Sequence, residues 1–173
     1  MNTNFSQGKS WIISAISDVK IVINGLQNEY YSLVAFRSQF AVEKFNKAIL
    51  SFMGLKIEKT HTPTDIIEDI INSKSSLIID EETKKVLEKI LKFSKFFENE
   101  GVQTRYGTIK NNKLVIAEEI YQSFEDIKIF LINLQNIVNY FLKLVKESLN
   151  ITEKEFENLL KLESLSGELK QWI

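Results

Sequence analysis

The sequence predicts an all-α fold, an antiparallel up-and-down helical bundle with an extra C-terminal helix. Three observations lead there. Apolar residues recur at three-and-four spacing through the long segments. Short polar stretches divide those segments, so each helix should return beside the one before it. The chain has 173 residues, 44% of them hydrophobic and 26% charged, which suits one folded domain around a single core. Residues 1–150 are expected to form the bundle and residues 151–173 a helical extension packed on the same domain, with no sheet.

After a polar tail, Ile12, Ile16, Val19, Ile23 and Leu26 make the apolar seam of a first helix, closed by Gly25 and the run Gln27-Asn28-Glu29. The next helix, over 30–53, then packs antiparallel to it. Its apolar residues Leu33, Val34, Phe36, Phe40, Ala41, Ala48 and Phe52 are spread widely enough to face neighbours on more than one side, a central position in a bundle. The rest of its surface carries Gln39, Glu43 and Lys47 at successive i+4 steps, with Glu43 preceding Lys47 in the order that favours an ion pair.

Gly54 stops this helix, and Thr62-Pro63-Thr64-Asp65 starts a third. There the Thr62 hydroxyl is expected to cap, Pro63 sits where a missing donor costs nothing, and Asp65 complements the macrodipole. Ile66, Ile67, Ile70 and Ile71 supply its buried face. Leu77-Ile78-Ile79 has strand-like composition but no partner strand, and is expected as an apolar loop tucked under the bundle. Asp80 caps a fourth helix through Val86, Leu87, Ile90, Leu91 and Phe97, ending at 99–101.

From 101 to 113 no periodicity is evident, which predicts a long polar loop holding Arg105 and Tyr106. Ile116, Ile120, Phe124, Ile127, Leu131, Leu134, Val138, Phe141 and Val145 then describe one uninterrupted fifth helix, roughly four dozen ångströms long at the standard rise. Thr152-Glu153-Lys154-Glu155 reads as a capping box opening a sixth helix, with Phe156, Leu159 and Leu160 on its apolar side and Gly167 near its end.

Composition removes several chemistries. Without cysteine there is no disulfide, no thiol nucleophile and no Cys-ligated zinc. A single histidine cannot build a site of spaced His ligands, and no phosphate-binding glycine loop occurs, so neither a metal nor an organic cofactor is expected. Glu81-Glu82 and Glu118-Glu119 are adjacent on helices, where neighbouring side chains diverge by about 100° and cannot flank one bond. The net charge of -1 makes any nucleic-acid contact a local one. The opening MNTNFSQGKS lacks a basic segment followed by an apolar run, and the apolar stretch 127–145 is interrupted by Lys128, Asn133, Gln135, Asn136, Asn139 and Lys143. A cytoplasmic protein without membrane contact is therefore expected.

Ala41, Glu43, Lys44, Lys47 and Ala48 on one helix are followed by Gly54, then by Thr60-His61 before the next helix and by Thr104-Arg105-Tyr106 further on. In order and spacing this resembles the HEPN domain over roughly residues 10–145, although Gly107 stands where many archaeal members have proline. The resemblance implies a helical bundle with a nucleotide- or RNA-related role, often beside a minimal nucleotidyltransferase as partner protein in a toxin–antitoxin pair. Catalytic HEPN ribonucleases carry an Arg followed four to six residues later by a His, joined at a dimer interface to stabilise phosphate charge and move a proton. Neither Arg37 nor Arg105 is followed by such a His, so the resemblance is to a member without that catalysis.

The candidate nucleotide- or RNA-binding residues are Arg105, Tyr106, Lys44, Lys47, Glu43, Gln39 and His61. A guanidinium can grip a phosphate and a phenol can stack on a base. Equally, Arg105 could pair with Glu100 or Glu118 while Tyr106 closes the bundle end, and Glu43, Lys44 and Lys47 could be an ion-paired helix face. His61 divides between a general base and a local hydrogen-bonding or packing residue. Three function classes stay open: a non-catalytic nucleotide- or RNA-binding module, a metal-independent ribonuclease with a divergent site, and a structural adaptor that binds another protein. Apolar positions on more than one side of the helices predict a symmetric homodimer.

Overall fold

The register of the first hairpin follows from its turn. Glu29 takes a left-handed conformation (φ 56°) and the Tyr30 N–H donates to the Gly25 carbonyl at 2.8 Å, reversing the chain between α1 (Thr3–Gln27) and α2 (Tyr31–Phe52). Ile12, Ile16, Val19, Ile23 and Leu26 are all buried along the seam. The computed structural model describes residues 3–57 and 60–173. The polar N-terminal segment is helical, not a tail: Gln7 donates to the Ile57 carbonyl at 3.0 Å and accepts from Ser51 Oγ, binding the start of α1 to the far end of α2.

Beyond this hairpin come α3 (Pro63–Ile71), α4 (Glu81–Tyr106), the strands β1 (Thr108–Lys110) and β2 (Lys113–Val115), α5 (Ala117–Ile120), α6 (Phe124–Lys143) and α7 (Asn158–Lys170). Helix α2 is central, packing against α1, α4 and α6. Aromatic contacts tie the layers together. Phe45 of α2 meets Phe141 of α6 at 5.1 Å between ring centroids, and Phe97 of α4 meets Phe130 of α6 edge-on at 5.7 Å. Helix α7 covers the side of α1 and α6, burying Leu159, Leu162, Leu165 and Leu169. The chain is thus all-α apart from one small hairpin, and among the described residues no helix is long and apolar enough to cross a membrane.

Several expectations need correction. The bundle is not free of sheet, because β1 and β2 pair antiparallel around a turn in which Asn111 and Asn112 are both left-handed (φ 51° and 61°). Residues 101–106 are not a loop: α4 continues through Gly101, since Phe97, Gly101 and Thr104 extend its buried stripe towards α2. A Cβ on Gly101 would lie 2.2 Å from Gln39 Nε2, so the glycine admits a neighbouring side chain instead of ending the helix. The long fifth helix is broken at 121–123, where Asp126 accepts from the Ser123 N–H and Oγ–H, both at 2.8 Å, capping a new helix start. These bonds hold the Asp126 carboxyl below its usual value. After Lys143 the helix passes into one π-helical turn, Leu144–Ser148.

Smaller differences follow the same logic. Thr62 makes no side-chain cap; instead the Thr64 hydroxyl donates to Glu98 across to α4, while Pro63 sits in the first turn as expected. Asp80 does cap α4, accepting from the Thr83 N–H at 2.7 Å, and this bond lowers its carboxyl pKa. The 77–79 loop is only half tucked in, with Ile78 98% exposed between half-buried Leu77 and Ile79. Glu155 accepts from the Thr152 N–H at 2.9 Å, but α7 proper begins at Asn158, runs through Gly167 and leaves Leu160 exposed.

Candidate nucleic-acid interface

Facing residues of a hairpin sum to a constant, and the α1–α2 turn sets that sum so that Asp18 meets Arg37. Asp18 is buried and takes Arg37 Nη1 at 3.1 Å on one carboxylate oxygen and Lys44 Nζ on the other. One carboxylate thus serves two cations. The Arg37 Nε–H is buried with no hydrogen-bond partner among the described residues, as is the neighbouring Ser38 hydroxyl.

Next to Lys44 on α2, Glu43 is a second hub. Its Oε1 lies 2.6 Å from Lys47 Nζ and 3.8 Å from His61 Nδ1, and its Oε2 lies 3.6 Å from Arg105 Nη2. Lys47, with its side chain 8% exposed, also stands 4.9 Å over the Trp11 ring. Gln39 completes the arrangement from the same helix face. Its Oε1 accepts from Thr104 Oγ1 at 3.0 Å and from the Arg105 Nε–H at 3.2 Å. Arg105 pairs with neither Glu100 nor Glu118; Glu100 instead accepts from Gln103 and lies near the Tyr121 hydroxyl.

These contacts sort the candidate residues. Glu43, Lys47 and Gln39 are internal, and the gap among Gln39, Glu43, Asn46, His61 and Glu98 has a volume of only about 10 Å³. That is room for one water and not for a base or phosphate. His61 has an 82% exposed side chain, so it neither packs into the core nor meets a strong partner. Glu98, facing the same gap, has its carboxyl pKa raised by burial, opposed by hydrogen bonds from Thr64.

Arg105 reaches from Gln39 and Glu43 to a second surface, where Tyr106 also lies. The Arg105 guanidinium sits 4.9 Å from the centre of the Phe40 ring, and Lys44 Nζ approaches the same ring at 5.9 Å. Phe40 packs against Phe36 at 4.7 Å, and Arg37 lies 5.5 Å from the Phe36 ring. Half-buried aromatic rings therefore alternate with Arg37 and Lys44 along this side of α2, with Arg105 of α4 laid against them. Next to them opens a hollow of about 350 Å³ lined by Ser32, Phe36, Arg105, Tyr106, Ile116 and Glu118. Its volume falls in the range of small-molecule sites, roughly 300–1,000 Å³. Tyr106 is 70% exposed at its edge and does not close the bundle end. A second hollow of about 450 Å³, bordered by Tyr30, Tyr31 and Tyr121, shares Ser32, Leu33 and Glu118 with the first.

Phe36, Phe40, Arg37 and Asp18 were missing from the candidates drawn from the sequence. Phe36 and Phe40 read there as core, but Asp18 and Arg37 could have been paired by counting outward from the Gln27-Asn28 turn. Among the described residues no group of three His, Asp or Glu side chains converges as a metal site would require.

Fold and surface together define a helical-bundle domain carrying an aromatic hollow, with Arg105 and Glu118 in its wall, at the junction of its second and fourth helices. The model of the HEPN domain family matches residues 9–144, and the chain belongs to that family. No curated protein and no solved structure matches it. Family membership points to a nucleotide- or RNA-related function, and α7 lies beyond the matched segment.

Proposed function

We propose that this protein is a non-catalytic HEPN module that binds single-stranded RNA or a nucleotide in the hollow beside Arg105. The observation that carries this reading is the placement of Arg105. Gln39, Glu43 and Phe40 fix its guanidinium at the wall of a nucleotide-sized hollow that also presents Phe36 and Tyr106. The guanidinium supplies donors for a phosphate, and the rings supply stacking faces at roughly 1–3 kcal/mol per base. Arg37 and Lys44 outnumber the Asp18 they share, so positive charge stands beside the hollow on α2, while in its wall Arg105 faces Glu43 and Glu118.

The non-catalytic part rests on the sequence. No His follows Arg37 or Arg105 at the ribonuclease spacing, and His61, although it shares the Glu43 carboxylate with Arg105, does not line the hollow. We place the role in the cytoplasm, which a cysteine-free composition suits. The reading includes a symmetric homodimer, the simplest closure for a self-associating helical domain, with light scattering as its check. A nucleotidyltransferase partner in a toxin–antitoxin pair belongs to the proposal through the family alone.

The test is fluorescence anisotropy with a labelled single-stranded oligonucleotide. Arg105→Ala should weaken binding by about 1.5–3 kcal/mol, the scale of a charge-assisted hydrogen bond. Lys47→Ala should lower stability more than affinity, and the RNA should stay intact. Unchanged binding in Arg105→Ala overturns the assignment of the hollow. Cleavage that disappears in His61→Ala overturns the non-catalytic reading.

A further inference from the structure

The β1–β2 hairpin sits where the sequence predicted a featureless loop, and its two ends, Tyr106 and Ile116, are walls of the Arg105 hollow. Gly107 makes this attachment feasible: at φ 74° it turns the chain out of α4, and a Cβ there would stand 2.0 Å from the Val115 carbonyl oxygen. The two left-handed asparagines set a tight turn of the kind that matches strand twist, so the tip is held in one conformation.

At that tip Lys110 and Lys113 are cross-strand partners. Both are exposed, and neither forms an ion pair among the described residues. Like charges placed directly opposite destabilise a two-stranded ribbon, and a bound anion removes that cost. On the other face of the ribbon Ile109 and Leu114, also partners, are 74% and 63% exposed, an apolar surface with nothing of this chain over it. The tip carries two positive charges and no acid, so its charge complement is an anionic chain.

We propose that the hairpin is a second contact arm for single-stranded RNA, with Lys110 and Lys113 gripping backbone phosphates beyond the nucleotide held at Arg105. This rests on the proposed function, and it adds a length requirement. A single nucleotide engages the hollow alone, whereas an oligonucleotide also engages the tip.

The experiment compares wild type, Lys110→Ala/Lys113→Ala and Arg105→Ala, using a labelled 12-nucleotide oligouridine and a fluorescent mononucleotide across a salt series. The hairpin variant should bind the 12-mer roughly tenfold more weakly, and its log-affinity against log-salt slope should shrink by about 1.4, or about 0.7 per lost phosphate contact on a single strand. Its mononucleotide affinity should match wild type, and Lys110→Arg/Lys113→Arg should restore 12-mer binding. Unchanged 12-mer affinity and slope overturn the hairpin proposal while leaving the hollow intact. Loss of neither ligand in Arg105→Ala overturns the hollow instead. A hairpin variant that alters the sedimentation coefficient without altering RNA affinity assigns the ribbon to a protein contact, which also overturns the proposal. Circular dichroism and melting of each variant confirm that the bundle is folded.

Discussion

Replacing Glu43 with alanine distinguishes an internal ion-pair hub from a ligand-binding groove. Its carboxylate lies 2.6 Å from Lys47 Nζ, and the two side chains are 16% and 8% exposed. Removing it leaves the ammonium buried without a counter-charge, a change that costs about 3–5 kcal/mol. The Trp11 ring 4.9 Å away keeps some attraction for the cation, on the order of 1 kcal/mol, so the loss should fall near the lower limit, about 3 kcal/mol. For a domain of this size each kcal/mol moves the melting temperature by roughly 2–4 °C. Thermal unfolding followed by circular dichroism should therefore show Glu43→Ala melting about 6–12 °C below wild type. The double variant Glu43→Ala/Lys47→Met should recover most of the difference, because the orphaned charge is gone. A Glu43→Ala protein that melts with wild type would refute the reasoning whatever its binding, because Glu43 also holds Arg105.

Three further outcomes are expected. Gly107→Ala forces a Cβ to within 2.0 Å of a backbone oxygen at φ 74°; it should lower the melting temperature by several degrees and weaken 12-mer binding more than mononucleotide binding. Burial raises the Glu98 carboxyl above its ordinary value of 4.5, so the folded protein holds that proton more tightly than the unfolded chain, and ionisation costs stability once pH rises past that value. Glu98→Gln should accordingly melt above wild type at pH 7, with the gap closing as pH falls towards 4.5; a gap that widens in acid contradicts this. Truncation after Asn150 uncovers the α1 and α6 surface that Leu159, Leu162, Leu165 and Leu169 bury, and should abolish cooperative melting.

The helices were legible because their apolar spacing is local. Ile12, Ile16, Val19, Ile23 and Leu26 on α1 and Ile127, Leu131, Leu134, Val138 and Phe141 on α6 are buried as their periodicity required. What the sequence obscured were the breaks. Ser123-Phe124-Glu125-Asp126 is a capping signal set inside an apolar repeat that continues on both sides, so the repeat hid the break. Gly101 suggested a stop because its real role, making room for Gln39, depends on a residue more than sixty positions away. The hairpin tip Lys110-Asn111-Asn112-Lys113 had a readable turn, but with strands of only three residues each no alternation could be seen.

The site divides in the same way. The Glu43–Lys47 pair followed from i,i+4 spacing, whereas the contact of Arg105 with Gln39, Glu43 and Phe40 needed the α2–α4 packing. That packing moved Arg105 out of a presumed loop and onto the last turn of a helix, and it separated the buried polar stripe from the open aromatic surface.

Photo-crosslinking tests the central claim most directly. A single-stranded oligonucleotide carrying 4-thiouridine is irradiated with the full-length protein, and the adducts are mapped by mass spectrometry. Adducts on the peptides that contain Phe36, Phe40 or Tyr106, lost in Arg105→Ala, are the result expected. Adducts confined to the His61 side, or no adduct at concentrations that saturate binding, would contradict a nucleotide site at the α2–α4 junction.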